Sequence, residues 1–182
     1  MKSLLLLLMV ATQAAAGPSQ APTTPTETLM HTETAFSLVV HLPYAETASL
    51  FGPEGERAWA GKHWDPQFIY PKPAHDVEGS VFTIKHGSFS AVWVNTVFDV
   101  RARHFKYVYF IPDLMVTTID VRFKLLDQAI TQVDVVYART AVTLDGNEHV
   151  VAMTEGDESA GQEWQQAIDS YLAAGKTAGI SQ

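Results

Sequence analysis

Polar aromatic, amide and guanidinium side chains recur at a spacing of two residues in three apolar segments of this sequence. The pairs with this spacing are Trp93 and Asn95, Tyr107 and Tyr109, and Tyr137 and Arg139. Because side chains two residues apart lie on the same face of a β-strand, each pair is predicted to point inward with its apolar neighbours. Buried polar groups need a hydrogen-bonding partner, which a ligand or an ordered water can supply. We therefore predict that these residues line a pocket for a small molecule, with plain core packing as the alternative.

Arg139 is the cation of this set. A buried guanidinium must be paired, and a ligand carboxylate can bind it through two parallel hydrogen bonds. Alternatively, Arg139 reaches solvent near the end of its strand or pairs with an internal acid. Its position near the strand end favours this second, structural interpretation.

A second aromatic cluster lies on the second helical piece and on the loop that follows it, residues 63–75, which carries three prolines. Trp59, Trp64 and Phe68 are predicted to form the mouth of the pocket, the alternative being a satellite cluster that packs a long loop. Glu56 and Arg57 are expected to form a local, exposed ion pair that contributes little.

The sequence lacks the usual signatures of several other functions. Its 182 residues include no cysteine, and 20 acidic against 12 basic side chains give a net charge of −8, which disfavours nucleic-acid binding. The seven histidines do not show the spacing of metal ligands. The sequence contains no Gly-x-Ser-x-Gly motif of the kind that presents a nucleophilic serine. The inward positions of the predicted strands hold no pair of carboxylates for acid–base catalysis. We therefore predict no metal and no cofactor, and an enzymatic role is less favoured than binding.

The elements expected to position these residues form one sheet and one helix. Strands are predicted at 36–42, 80–86, 89–99, 104–111, 114–126 and 130–144, with two short helical pieces after the first strand. Alternation places Phe123 on a buried face, as expected for an antiparallel sheet covered on one side. Trp164 and Ile168 belong to the apolar stripe of a C-terminal helix. We expect a break in that helix at 155–158, a capping box at Ser159 and a helix end at Gly175.

This order of elements, with its motifs, resembles the START-like, Bet v 1-type superfamily, and more narrowly its bacterial polyketide cyclase/dehydrase and lipid-transport-like members. The motifs are Glu56-Arg-Ala-Trp59 with His63-Trp-Asp-Pro66 and Tyr70-Pro71, Val81-Phe82-Thr83, Ala91-Val-Trp93-Val94, Tyr137-x-Arg-Thr140 before Gly146-Asn147, and Trp164 with Tyr171-Leu172. The resemblance implies an α+β helix-grip fold, in which a curved antiparallel sheet wraps around a long C-terminal helix.

The resemblance also implies a cavity between sheet and helix that binds a small hydrophobic molecule of lipid, polyketide or aromatic type. The predicted ligand-binding residues are Trp93, Asn95, Tyr107, Tyr109, Phe123, Tyr137, Arg139, Trp164 and Ile168. Two alternatives stay open: a cyclase- or dehydrase-type enzyme acting in the same cavity, and a surface-interaction module with a filled core.

The ends of the chain indicate export. Residues 1–16 combine Lys2, an apolar run and Ala14-Ala15-Ala16, which is typical of a cleaved signal peptide, and the apolar run is too short to span a membrane. Residues 17–34 are rich in Pro and Thr and are predicted to be a disordered spacer, and 176–182 a flexible tail. The domain is thus expected at 35–175, in a protein of the bacterial periplasm or medium without an integral membrane span.

Overall fold

The computed structural model describes residues 28–87 and 89–179, which form a seven-stranded antiparallel sheet and a long C-terminal helix. The strands are β1 (His31–Val40), β2 (Gln67–Tyr70), β3 (Val81–His86), β4 (Phe89–Asp99), β5 (His104–Ile111), β6 (Met115–Asp127) and β7 (Ile130–Ala141). The helices are α1 (Tyr44–Ala48), a 3₁₀ helix (Gly55–Ala58) and α2 (Asp145–Gly179). The strand order β1-β7-β6-β5-β4-β3-β2 confirms the predicted helix-grip architecture.

One face of the sheet is buried and the other is wet, as the alternation of side chains predicts. On β6, Val121 and Phe123 are buried whereas Arg122 and Lys124 are exposed. On β7, Val133 and Val135 have no exposed surface. This inner face packs against α2 and against the segment between β1 and β2.

Helix α2 runs without a break through residues 155–158, so the predicted interruption there is wrong. Ser159 lies inside the helix, where its hydroxyl donates to Glu163, and Gly175 also lies within the helix. A glycine in a helix costs about 1 kcal/mol relative to alanine. Gly156, within the predicted break, is such a glycine, and the neighbouring Asp157 offsets its cost because the Asp157 carboxylate accepts hydrogen bonds from Thr34 and Arg139 of the sheet.

Strand β1 begins at His31, so the predicted disordered spacer is wrong for its last four residues. Their threonines are hydrogen-bonded to α2: Thr32 to Thr154 at 2.8 Å, and Thr34 to Asp157 at 2.5 Å. Composition alone misses these residues because polar side chains that bind a helix resemble those of a solvated spacer. The predicted signal peptide at 1–16 and the rest of the spacer up to residue 27 lie outside the described residues.

Two further boundaries differ from the prediction. The segment 63–75 contains the edge strand β2, which pairs with β3, and was predicted to be a loop. Helix α2 continues to Gly179 through the predicted tail, whose residues 180–182 lie outside the described part. Within the described residues, no helix is both long enough and apolar enough to cross a membrane.

Candidate binding cavity

A cavity of about 250 Å³ lies between the inner face of the sheet, helix α2 and the segment around the 3₁₀ helix. The sheet contributes Trp93, Tyr109, Ile119, Tyr137 and Arg139, α2 contributes Met153 and Trp164, and the helical segment contributes Glu56, Trp59, Ala60 and Trp64. A smaller chamber of about 40 Å³ shares six of these residues and adds Tyr107 and Val121. Side chains therefore do not fill the space between sheet and helix, which argues against the filled core of the surface-interaction interpretation.

All four tryptophans of the sequence line this cavity. The rings of Trp59 and Trp164 meet edge to face with centroids 5.3 Å apart, and those of Trp64 and Trp93 do so at 5.5 Å. The indole N–H of Trp59 donates to the Leu50 carbonyl at 2.7 Å, and that of Trp64 to the Pro53 carbonyl at 2.9 Å. These backbone acceptors fix both indoles, so the aromatic wall is a preformed part of the fold.

Arg139 has an internal acid as its partner. Its Nη1 and Nη2 donate to the two carboxylate oxygens of Asp157 on α2, the second at 2.9 Å, and the two side chains are only 4% and 8% exposed. The guanidinium also lies over the Tyr137 ring at 4.5 Å. This is the internal pairing that the structural interpretation of Arg139 requires. Its Nε is buried without a hydrogen-bond partner.

Glu56 is the ionisable cavity residue that the sequence reasoning missed. It is 6% exposed, and its Oε1 accepts a hydrogen bond from the backbone N–H of Gly52 at 3.2 Å. Burial raises the pKa of this carboxyl to about 8; the Gly52 N–H opposes the increase and the charge of Asp76 adds to it. The acid is therefore mainly protonated at neutral pH while the cavity is empty.

The expected Glu56–Arg57 pair does not form. Arg57 instead binds the half-buried Glu54 and the exposed Asp65, each at 2.9 Å. The helical spacing of Glu56, Trp59 and Ala60 at i, i+3 and i+4 is the sequence signal that points to an inward Glu56, because such residues share one helix face.

Asp76 holds the turn that positions Glu56. Its carboxylate accepts hydrogen bonds from the backbone N–H groups of Glu54 at 2.9 Å and Gly55 at 3.2 Å. Gly52 has a φ of +112° and lies so close that an added Cβ would meet Asp76 Oδ2 at 2.6 Å. Only glycine fits this position, and the 3₁₀ helix that follows carries Glu56 into the cavity.

Tyr107 lies in the smaller chamber with Glu56. Its hydroxyl is buried without a hydrogen-bond partner, and burial raises the pKa of Tyr107 well above its usual value, with a further increase from Glu56. Burial likewise raises the pKa of Tyr137. Both phenols therefore stay protonated and can donate to a ligand oxygen.

The structure brings together eight of the predicted residues and places four elsewhere. Trp59, Trp64, Trp93, Tyr107, Tyr109, Tyr137, Arg139 and Trp164 line the two chambers, whereas Asn95, Phe123, Ile168 and Phe68 do not. Parity along a strand identifies the inward face but not the position of the cavity along it.

The four remaining residues have structural contacts. Phe123 packs edge to face on Phe51, with ring centroids 5.3 Å apart, and Phe68 stacks on Phe82 at 5.5 Å. Ile168 is fully buried in the core, and Asn95 donates to the Val77 carbonyl at 3.3 Å.

Comparison with known proteins identifies the fold. No family model matches the chain, and no curated protein does. Among solved structures, norcoclaurine synthase from Thalictrum flavum in complex with dopamine and hydroxybenzaldehyde matches with a TM-score of 0.57 and 10% identity, covering 80% of this chain and 88% of the synthase. Ara h 8.0201 matches with a TM-score of 0.55 and 10% identity, covering 80% of this chain and 99% of the other.

An uncharacterized protein from Rhizobium leguminosarum gives a TM-score of 0.56 with 13% identity, covering 79% of this chain and 97% of the other. The fold is the Bet v 1-like helix grip. At these identities the likeness extends to the fold alone, and it includes both an enzyme and proteins without an assigned reaction.

Proposed function

We propose that this protein binds a small aromatic molecule in the cavity between the sheet and α2. The observation that carries the proposal is an aromatic cavity with buried polar groups that lack protein partners, namely the Tyr107 hydroxyl and Arg139 Nε. A ligand pocket typically combines apolar walls with a few such polar groups. A cavity of about 150 Å³ accepts benzene, so about 250 Å³ suits one ring with a short substituent.

The solved structures support this proposal by analogy. The norcoclaurine synthase structure contains two single-ring aromatic compounds, dopamine and hydroxybenzaldehyde, in a protein of the same fold. The size of the cavity favours this kind of ligand over a long-chain lipid.

Binding is measurable by the protein's own fluorescence because all four tryptophans line the cavity. A single-ring probe is expected to quench or shift tryptophan emission in a saturable way. Ile119→Phe should weaken binding at least tenfold, since Ile119 is buried on β6 and lines both chambers. Val92→Phe is the matched control, because Val92 lies on the exposed face of the sheet. Equal affinities in both variants and the wild type would contradict the proposal.

Catalysis on the bound molecule is a second candidate function, and Glu56 is the observation that favours it. A cavity carboxyl with a pKa of about 8 can accept or donate a proton near neutral pH. The test is deuterium exchange at the acidic α-hydrogens of an aryl ketone, followed by NMR. Exchange that the wild type accelerates and Glu56→Gln abolishes would establish an enzyme, whereas exchange at the buffer rate would exclude this reaction.

We also propose that the protein is exported after cleavage behind Ala16, on the basis of the apolar run and the small residues that follow it. Expression of the full chain in a bacterium, with mass measurement of the protein from each fraction, tests this. A periplasmic or secreted protein that begins at Gly17 is expected, and a full-length cytosolic product would contradict export.

A further inference from the structure

The two charged side chains of the cavity differ in how they are balanced. Arg139 and Glu56 are the charged residues among those that line the two chambers. Arg139 is neutralised by Asp157, which binds it through both terminal nitrogens. Glu56 forms no ion pair with any described lysine, arginine or histidine. An ionised Glu56 would therefore be the uncompensated charge of the cavity.

The walls around this acid are made of the residues that attract cations best. The faces of aromatic rings carry negative electrostatic potential, and indole attracts an organic cation more strongly than phenol or benzene does. Trp59, Trp64, Trp93 and Trp164 line the cavity together with Glu56, and Tyr137 lies beside them. Aromatic cages of this composition are used to bind ammonium groups.

We infer that the cavity is selective for a small organic cation, an aryl-substituted ammonium whose positive group lies between the Glu56 carboxylate and the tryptophan rings. The inference rests on the proposed function and specifies its ligand class. The cation would supply the missing partner of Glu56, so the loaded cavity would hold two balanced charge pairs. The unpartnered hydroxyl of Tyr107 would serve a polar substituent of the ligand.

Arg139 does not favour an anionic ligand to the same degree. Asp157 already neutralises the guanidinium through both terminal nitrogens, so a carboxylate ligand would compete with Asp157 for a charge that is balanced. A carboxylate in the cavity would also face Glu56, whose ionised form repels it by like charge. The charge balance thus favours a cation over an anion of the same size.

Three probes that share a benzyl group test this inference on the full-length protein by calorimetry at pH 8.5. They are benzyltrimethylammonium, its neutral carbon analogue neopentylbenzene, and phenylacetate. The quaternary ammonium keeps its charge at every pH, so only the protein titrates. We expect the cation to bind at least tenfold more tightly than the other two probes.

Glu56→Gln removes the charge and keeps the shape of the side chain. It should lower the affinity for the cation about tenfold and leave that for the neutral probe unchanged. Glu54→Gln is the matched control, because Glu54 lies two residues away, is paired with Arg57 and is not among the lining residues. The thermal unfolding midpoints of both variants show whether they fold as the wild type does.

The outcomes separate the two proposals. Neutral and cationic probes that bind equally would overturn the cation selectivity and leave the aromatic cavity as the binding site. Tightest binding of phenylacetate would overturn it in favour of Arg139. If none of the three probes binds, and the fluorescence test shows no difference in affinity between the wild type and Ile119→Phe, the proposed function itself is contradicted.

Discussion

Arg139 and Glu56 are both buried, and the protein solves the problem of a buried charge differently for each. Arg139 keeps its charge because Asp157 binds it, with Thr34 donating a further hydrogen bond to that carboxylate. Glu56 has a backbone N–H as its partner and is held mainly in the neutral form. The Arg139–Asp157 pair links α2 to the sheet. Glu56 keeps a proton in the cavity, and a bound ligand can displace that proton.

Removing Asp157 should destabilise the fold strongly. Asp157→Asn leaves the Arg139 charge buried without its counter-ion, a change that typically lowers the free energy of unfolding by about 3 kcal/mol or more. Replacing both partners, as in Arg139→Met with Asp157→Leu, should recover most of the loss because neither charge remains. Urea denaturation measures this, with the exposed neighbour Glu158→Gln as control. A double variant no more stable than Asp157→Asn would contradict the explanation.

Glu56 should make the stability depend on pH. Its pKa is raised from 4.5 to about 8 on folding, so the folded state holds the proton more tightly. Its stabilising contribution is therefore complete below about pH 4.5 and is lost as the pH rises through 8, at no more than about 1.4 kcal/mol per pH unit.

The difference between wild type and Glu56→Gln isolates this effect. The titratable and charged groups around Glu56 are the same in both proteins, namely Asp76 from the loop, Tyr107, Tyr137, and the Arg139–Asp157 pair. Unfolding free energies measured between pH 5 and 9 should fall more steeply with pH in the wild type. Parallel curves would show that Glu56 does not titrate in this range.

The inward position of Arg139 and the tyrosines could be predicted from strand parity, because alternation is a local property of the sequence. The partner Asp157 could not, since it lies on another element 18 residues away, within the segment where a break of the helix was predicted. Glu56 was missed because acids were sought only on the strands, whereas this one enters the cavity from a short helix.

Three glycines of helix α2 differ in what surrounds them. Gly156 has open space where a Cβ would be, Gly161 has the side chain of Phe36 at 3.1 Å, and Gly146 has the carbonyl oxygen of Leu114 at 2.0 Å. The glycines near the start and middle of the helix therefore allow the close approach of neighbouring elements, whereas Gly156 serves no such contact.

Alanine scanning of these glycines should give a graded response. Gly156→Ala should stabilise the protein by about 0.5–1 kcal/mol because alanine restricts the unfolded chain and suits the helix. Gly161→Ala should gain less or lose stability, as Phe36 must shift. Gly146→Ala should be the most destabilising, because a backbone carbonyl blocks the new methyl group. Thermal or urea unfolding of the three variants checks this order, and equal effects would contradict it.

Strands and helices could be predicted where the pattern of apolar residues within the element itself decides its structure. Five strands and the apolar stripe of α2 follow from alternation and helical spacing, as Val121, Phe123 and Ile168 show. The first half of β1 and the edge strand β2 do not, because their exposed and polar residues resemble those of a loop. Long-range pairing, as between His31 and Thr140, decides their structure.

At the scale of the whole molecule, the sheet curves around α2 and leaves unfilled space near Glu56 and Arg139. Strand β1 closes one side of this arrangement by pairing with β7, which carries Tyr137 and Arg139. In that register Thr32 lies opposite Arg139 and Thr34 opposite Tyr137. The N-terminal residues of the strand thus support the cavity wall, although none of them belongs to the motifs that indicated the fold.

Truncation of the chain tests whether the domain begins at His31 or at the sequence-predicted boundary, Ala35. A chain that starts at residue 28 keeps the bonds of Thr32 to Thr154 and of Thr34 to Asp157, and one that starts at residue 35 loses both with the strand pairing around them. At about 1 kcal/mol for each net hydrogen bond, the shorter chain should be less stable by at least about 2 kcal/mol.

The shorter chain should also bind a cavity probe more weakly, since β7 loses the neighbour that holds Tyr137 and Arg139 in place. Urea denaturation and probe titration of the two chains measure both effects. If the two chains are equally stable and bind equally well, the first residues of β1 are dispensable, and the domain begins where composition placed it. If only stability falls, β1 supports the fold and the cavity wall is held by α2 alone.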